Sequence, residues 1–266
     1  MAFNPNELIL ERVRSVEEYD PATDELIGRY TQIEDPSLQT SADGTDVTDA
    51  MGAPIMTFYR NQQATFSFSN SLHSLDLFAS QFGSEKKVAD EGAPIQIPVT
   101  ETLAIGGESA TPTVTLKYTP VDGSLKYVKI VNTNKTFGDT YTLDTAADAE
   151  QKHFSLSDTT ITLPENTTGR VLVSYIREST AAASVVKTSD SLPAMRKLWI
   201  HVIFRDPCNQ NLKYAGVIVA ENAQIDPSSV EVALTSDGKH AASYLIRAPY
   251  CNEEESKLFE ILVSEE

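Results

Sequence analysis

The chain has 266 residues, 41% of them hydrophobic, enough for one large β domain or two smaller ones. A formal net charge of −17 at pH 7 opposes general attraction to nucleic acid or anionic membrane and keeps a free subunit soluble. No apolar run is long enough for a transmembrane helix. Residues 1–20 lack a basic region followed by an apolar stretch, so they do not read as a signal peptide. The expectation is folding in a cytoplasm with Cys208 and Cys251 reduced; two cysteines establish no disulfide framework.

In chain order, Leu8 to Val16 and Glu25 to Ile33 read as strands of a hairpin around the turn formers Glu18 to Asp24. Asp35 to Gly52 is polar, has no apolar period and carries the turn signal Asp43-Gly44. It reads as a long loop, of the kind that is functional or disordered in a compact domain. A long alternating strand follows. Met56, Phe58, Phe66 and Phe68 share one parity and predict a buried apolar face. Gln63, Thr65, Ser67 and Ser69 share the other, a polar face almost without charge. Arg60, Gln62 and Ala64 interrupt the apolar parity and predict a bulge or break.

The strand runs into a helix over 71–82, capped by Asn70 or Ser71 and stopped at Gly83. Its stripe is Leu72, Leu75, Phe78, Ala79 and Phe82, with Leu75 and Phe78 expected to pack over Phe66 and Phe68. From about Ala93 to Ser179 short Thr- and Val-rich strands alternate with turns, the texture of a small β-sandwich. Further strands are expected at Lys197–Arg205, Lys213–Glu221, Ser229–Thr235 and Ser243–Ala248, with a last edge strand at Leu258–Val263.

No chemistry stands out. His73, His153, His201 and His240 are scattered without metal-ligand spacing, and Gly106-Gly107 lacks the Lys-Ser/Thr of a phosphate loop. Neither cysteine lies in a nucleophile signature. Glu253 to Glu255 reads as a solvated charge run. No catalytic residue, cofactor or metal site is expected, and the chain does not read as an enzyme.

Loop, long strand and helix in that order resemble the start of a bacteriophage tail tube (major tail) protein. The likeness extends to Lys213–Val219, Ala223–Pro227 and Thr235–Lys239. The segments Thr115–Pro120 and Gly169–Tyr175 look like the additional β domain that some of these proteins carry. The resemblance implies an all-β fold with one short α-helix. Residues 1–92 and 180–266 would form a tail-tube core of barrel or sandwich type, and 93–179 an inserted immunoglobulin-like β-sandwich. It implies hexameric rings stacked into a tube that conducts DNA, carried in the virion tail and assembled in the host cytoplasm. Asp35, Leu38, Asp43, Asp46, Val47, Asp49 and Met51 would lie on the inter-ring loop. Gln63, Thr65, Ser67 and Ser69 would face the lumen. Implied partners are copies of the chain, tail terminator, tape measure and baseplate or distal tail proteins, and a sheath if the tail contracts. DNA would be non-specific cargo, and no membrane binding is expected.

Two other classes share this motif-free β texture. One is a different virion component, such as a capsid decoration or fibre protein. The other is a glycan-binding β-sandwich, which expects aromatics clustered on an exposed sheet face; Trp199, the single tryptophan, reads instead as core.

Overall fold

The structure is a computed structural model and describes residues 6–209, 211–236, 238–249 and 257–265. The chain is all-β with one short α-helix. Its strands are β1 (Ile9–Tyr19), β2 (Leu26–Tyr30), β3 (Ile33–Thr48) and β4 (Pro54–Asn70), followed by α1 (Leu75–Phe82). Next come β5 (Lys87–Val88), β6 (Ile95–Ala104), β7 (Gly106–Glu108), β8 (Thr111–Thr115), β9 (Tyr127–Val131) and β10 (Phe137–Leu143). They are followed by β11 (His153–Ser157), β12 (Thr160–Thr162), β13 (Arg170–Ser179) and β14 (Ala183–Ser184). The last are β15 (Met195–Arg205), β16 (Lys213–Ile225), β17 (His240–Ile246) and β18 (Glu260–Glu265).

The chain divides into two compact units, 1–86 with 185–266, and 87–184. The first is built on an eight-stranded sheet in the order β2-β1-β15-β16-β17-β4-β3, with β18 also paired to β16. Strand periodicity explains its core. Ala64, Phe66, Phe68 and Asn70 are buried, while Gln63, Thr65, Ser67 and Ser69 between them are half-buried on the other face. The neighbouring β17 repeats the pattern, burying His240, Ala242, Tyr244 and Ile246. Phe66 and Phe68 meet Tyr244, Leu198, Ile200 and Leu77 in one cluster.

This sheet forks. β17 pairs with β16 only at Ala223–Ile225; further along, β18 takes that edge of β16 over Tyr214–Val219. β3 and β4 continue on their own past the Ser41–Gln63 pair, as a free two-stranded arm. At the point of departure β4 bulges: Asn61 has φ 53°, and the register slips between Ser41/Gln63 and Asp43/Arg60. The Asp35–Gly52 segment is therefore no loop. Its polarity reflects a strand whose faces both meet solvent, not an absence of strand pairing. The tip is closed by Asp49, whose Oδ1 accepts from the Met51 and Ala53 amides at 2.8 Å each, with Gly52 at φ 85°.

The helix also differs from expectation. It begins one turn later, capped by Ser74, whose side chain accepts from the Leu77 amide at 3.5 Å. Asn70 instead accepts from the Leu72 amide within the preceding turn. Gly83 closes the helix in the left-handed conformation, φ 65°. A Cβ there would lie 2.0 Å from the Leu192 carbonyl oxygen, so only glycine fits.

The second unit is an eight-stranded curled sheet in the order β6-β13-β9-β10-β11-β12-β8-β7, with β5 and β14 forming a separate pair. Its pairs are antiparallel apart from the short β10–β11 contact. It closes over its own core of Val114, Leu116, Val128, Phe154, Ile161, Val171, Val173 and Tyr175. Val88 pairs with Ala183, so the two strands that begin and end this unit lie side by side. Of the later strands expected from sequence, Ser229–Thr235 is absent: Pro227–Ser229 is a 3₁₀ turn and the residues after it are irregular.

Candidate assembly surfaces

Three surface features stand out in the first unit. The first is the arm. Val47, Met51, Ile55, Met56, Phe58 and Tyr59 are all exposed, Met51 by 94%. Met56 and Phe58 share the parity of Phe66 and Phe68, yet they are not buried, because the arm has left the body's core behind. Across the hairpin Val47 pairs with Met56 and Thr45 with Phe58, placing these side chains on one face. The arm's acids are used internally. Asp43 accepts from Asn61 Nδ2 at 3.1 Å, and Asp46 from the Thr57 hydroxyl at 2.6 Å. Of the residues assigned to the inter-ring loop, Asp43, Asp46, Val47, Asp49 and Met51 ride on this arm. Leu38 does not; it packs partly buried against the body core. Asp35 stays at the root, 3.5 Å from Lys239.

The second feature is the polar sheet face. Gln63, Thr65 and Ser67 stand opposite Ser41, Gln39 and Ser37 of β3. On the other side Thr65, Ser67 and Ser69 stand opposite Leu245, Ser243 and Ala241 of β17. Directly opposed residues share a face. The result is a patch of hydroxyl, amide and small apolar groups across three strands, with charge at both margins: Glu34 faces Ser69 at one end, and Asp43 and Arg247 lie beside Gln63 at the other. The neighbouring strands seemed silent from sequence, because the three segments of this face are far apart in the chain. Farther across the same sheet lie Trp199 and Tyr19, ring centroids 4.6 Å apart. Trp199 is half-buried there and not in the core as expected. Beside it His201 Nε2 lies 3.2 Å from Glu17 Oε2, which also receives the Tyr19 hydroxyl at 2.8 Å. Burial alone would raise the Glu17 carboxyl, but these two hydrogen bonds together with the His201 and Arg29 charges outweigh it and hold the group below its usual range.

The third feature is the seat of α1. The helix lies on its expected apolar stripe only in part: Ala79 is buried and Phe82 half-buried. Leu75 is 41% and Leu72 59% exposed, and Phe78 is half-buried against His240, ring centroids 4.1 Å apart. The buried residues of the helix are Leu77, Ala79, Ser80 and Gln81. Ser80 Oγ donates to Glu18 Oε2 at 2.5 Å, and the Tyr244 hydroxyl donates to Glu18 Oε1. Gln81 Nε2 donates to the Ala241 carbonyl at 2.7 Å, while its Oε1 receives His240 Nε2 at 2.8 Å. Adjacent helix residues thus hold two titratable groups of the sheet, Glu18 and His240, both fully buried. Burial holds His240 neutral, its pKa lowered to about 4 with a further push from His73. Burial raises the Glu18 carboxyl, even though Ser80, Tyr244 and Arg196 oppose the shift. Sequence offered no sign of this seat, since Ser80 and Gln81 read as the solvent side of a helix.

A carboxyl raised in the folded state binds its proton more tightly there than in the unfolded chain. Its stabilisation is complete below the ordinary value of 4.5 and is lost as pH rises through the folded-state value. The stability difference between the native protein and Glu18→Gln should therefore shift toward the variant as pH is raised above 4.5. Urea unfolding of both at a series of pH values measures it; parallel profiles would show that Glu18 titrates in the fold as it does in the unfolded chain.

Among the described residues no group of three His, Cys, Asp or Glu converges to hold a metal ion, and no helix is long and apolar enough to cross a membrane. Cys208 is exposed; Cys251 and Glu253 to Glu255 lie outside the described residues.

An all-β subunit with a free arm and a sheet face charged only at its margins belongs with proteins whose work is assembly. Comparison with protein families supports that class: the chain belongs to the YomU/Tube protein family, which it matches over residues 8–261. The family is one of phage tail tube proteins, implying a structural component of the virion tail that self-assembles into a tube with other tail components. Such families are generally non-enzymatic. No curated protein matches the chain.

Proposed function

We propose that this protein forms rings, six subunits to the ring, that stack into the tube through which phage DNA leaves the capsid. The observation that carries the reading is the polar face around Gln63, Thr65, Ser67 and Ser69. A conduit for a polyanion must not hold it, and a wall of hydroxyls and amides whose neighbouring cation, Arg247, sits only at the margin offers little to trade for the DNA's counterions. This face would line the lumen. The arm would cross from one ring to the next, because a lone two-stranded hairpin is marginal in water and gains stability by packing on something else. Stacked ends would then meet the terminator, tape measure and baseplate or distal tail proteins, and a sheath if the tail contracts.

Electron microscopy of the purified protein tests the reading. Tubes of stacked rings are expected; discrete monomers at every concentration and salt condition would overturn it. Lumen placement has its own test. Thr65→Lys with Ser67→Lys substitutes half-exposed positions, so the subunit should fold and assemble. Particles carrying it should release DNA more slowly, with the delay shrinking as salt rises. Unchanged release kinetics at low salt would place the face elsewhere.

The unit 87–184 is proposed as a domain displayed outside the ring. It has its own core, and its paired end strands let a short Gly-Ser linker join Lys86 to Val185. That deletion should still give tubes, seen by microscopy. A soluble protein unable to form them would place the unit within the ring contact.

A further inference from the structure

Two consecutive residues of α1, Ser80 and Gln81, hold the two buried titratable groups beneath the helix, and those groups charge in opposite directions. Around Glu18 stand Ser80 of α1, Tyr244 of β17, Tyr30 of β2 and Arg196 of β15. Both carboxyl oxygens already accept, Oε2 from Ser80 and Oε1 from Tyr244. Arg196 is the cation that favours the ionised form, yet its own Nε is buried without a hydrogen-bond partner. An ionised Glu18 is thus a desolvated charge held by hydroxyls.

His240 is the reverse case. It meets Gln81 and Phe78 of α1 and His73 of the preceding turn, and it pairs across the sheet with Asn70 of β4. The adjacent cation, Lys239, is taken up by Glu34 and Asp35. Gln81 Nε2 is committed to the Ala241 carbonyl, so the Gln81 oxygen meets His240 Nε2 and the imidazole proton sits on that nitrogen. Nδ1 is left as a bare lone pair, buried without a partner. A proton arriving there finds no acceptor, and a charged His73, ring centroid 5.7 Å away, would repel it.

Few other contacts seat the helix. Eight residues are too few to stay helical without packing. Leu77 and Ala79 are its buried apolar side chains, and Leu75 is exposed. The C-terminal end is tied separately: the Phe82 carbonyl accepts from Ser191 Oγ at 2.7 Å and Lys187 Nζ at 3.2 Å. The helix can therefore leave the sheet while its end remains tethered.

We propose that α1 is a clasp on the sheet that opens when Glu18 loses its proton or His240 gains one. Seated, His240 is held at about 4 against an ordinary 6.5, so its contribution is complete above 6.5 and is lost as pH falls through about 4. Glu18 is raised when seated, so its contribution is complete below 4.5 and is lost as pH rises through the seated value. Each group by itself changes the open fraction by about tenfold per pH unit within its interval, and His240 by about 300-fold in all. Where the intervals overlap the two slopes oppose each other, so removing either group should uncover the other.

Hydrogen exchange read by mass spectrometry tests the clasp on the full chain. It compares the α1 peptide with peptides of β15 and β16 between pH 4 and 8, each rate divided by that of an unstructured chain. In Glu18→Gln, α1 should open increasingly as pH falls from 6.5 to 4, more steeply than in the native chain. In His240→Gln the acid-side opening should vanish, and opening should rise with pH above 4.5. β15 and β16 should stay protected throughout. A variant whose α1 profile runs parallel to the native one, or α1 and the sheet losing protection together, would overturn the proposal. Nuclear magnetic resonance of the native chain needs no variant to fold. The His240 ring should be neutral at about pH 5.5 with its proton on Nε2; an imidazolium there, with α1 still protected, would equally overturn it.

Discussion

Phe68→Ala lowers the stability of the first unit by about 3–5 kcal/mol. Phe68 is 2% exposed and surrounded by aromatic rings: Phe66 at 5.6 Å, Tyr30 at 6.0 Å and Tyr244 at 6.2 Å between centroids, the last nearly parallel at 11°. These neighbours are fixed from several sides, Tyr244 by its bond to Glu18 and Phe66 by the β4 ladder. They cannot collapse into the space the ring leaves, so the loss includes a cavity as well as transfer of the side chain. The chain has two compact units, and a single unfolding transition is not assured. Trp199 settles which unit is measured, because the one tryptophan lies in the first. Its fluorescence in urea should show the midpoint shift. A change under about 1 kcal/mol would mean the aromatic cluster repacks freely and is not the closed core described.

Removal of the arm should abolish stacking while leaving the subunit folded. The cut follows the structure: Ala42 to Gln62 is excised and Ser41 joined to Gln63 through an Asn-Gly turn, which suits a two-residue hairpin. No residue in the excised span belongs to the body's core, so stability of the unit should change by no more than about 1 kcal/mol. A cut from Leu38 would be a poorer experiment, since Leu38 packs on that core and its loss would confuse misfolding with failed assembly. Circular dichroism should show a folded protein, and microscopy should show no tubes. Tubes of ordinary length from this variant would remove the arm from the inter-ring contact.

Both experiments expose what periodicity could and could not tell. The parity of Phe66 and Phe68 against Thr65 and Ser67 was legible, because a strand buried on one face leaves a two-residue period whatever lies across from it. The bulge was legible too, since Arg60, Gln62 and Ala64 break that period. Met56 and Phe58 obey the same parity and were misread as core. Alternation reports which side chains share a face, and nothing about whether that face has a body above it. The arm's other strand was misread as loop for a related reason: with solvent on both faces it needs no apolar period, and its pairing to β4 is carried by backbone groups that all residues possess. The helix failed differently. Of the stripe Leu72, Leu75, Phe78, Ala79 and Phe82 only Ala79 is buried, and Ser80 and Gln81 face inward with it because Glu18 and His240, distant in sequence, wait beneath them.

The amino-acid sequence by itself determined the class: an acidic, all-β chain with one short helix after a long strand. These follow from composition, local period and turn residues, which act within a few positions of one another. Tertiary structure alone decided where the sheet forks, which stretch of the hairpin stands free, and that α1 is seated by buried hydrogen bonds from Ser80 and Gln81 with Leu75 left exposed. Those outcomes depend on pairs such as Glu18 with Tyr244, or Gln81 with His240, separated by most of the chain. A buried polar group is tolerated only when its partner arrives, and no local pattern announces a partner that far away.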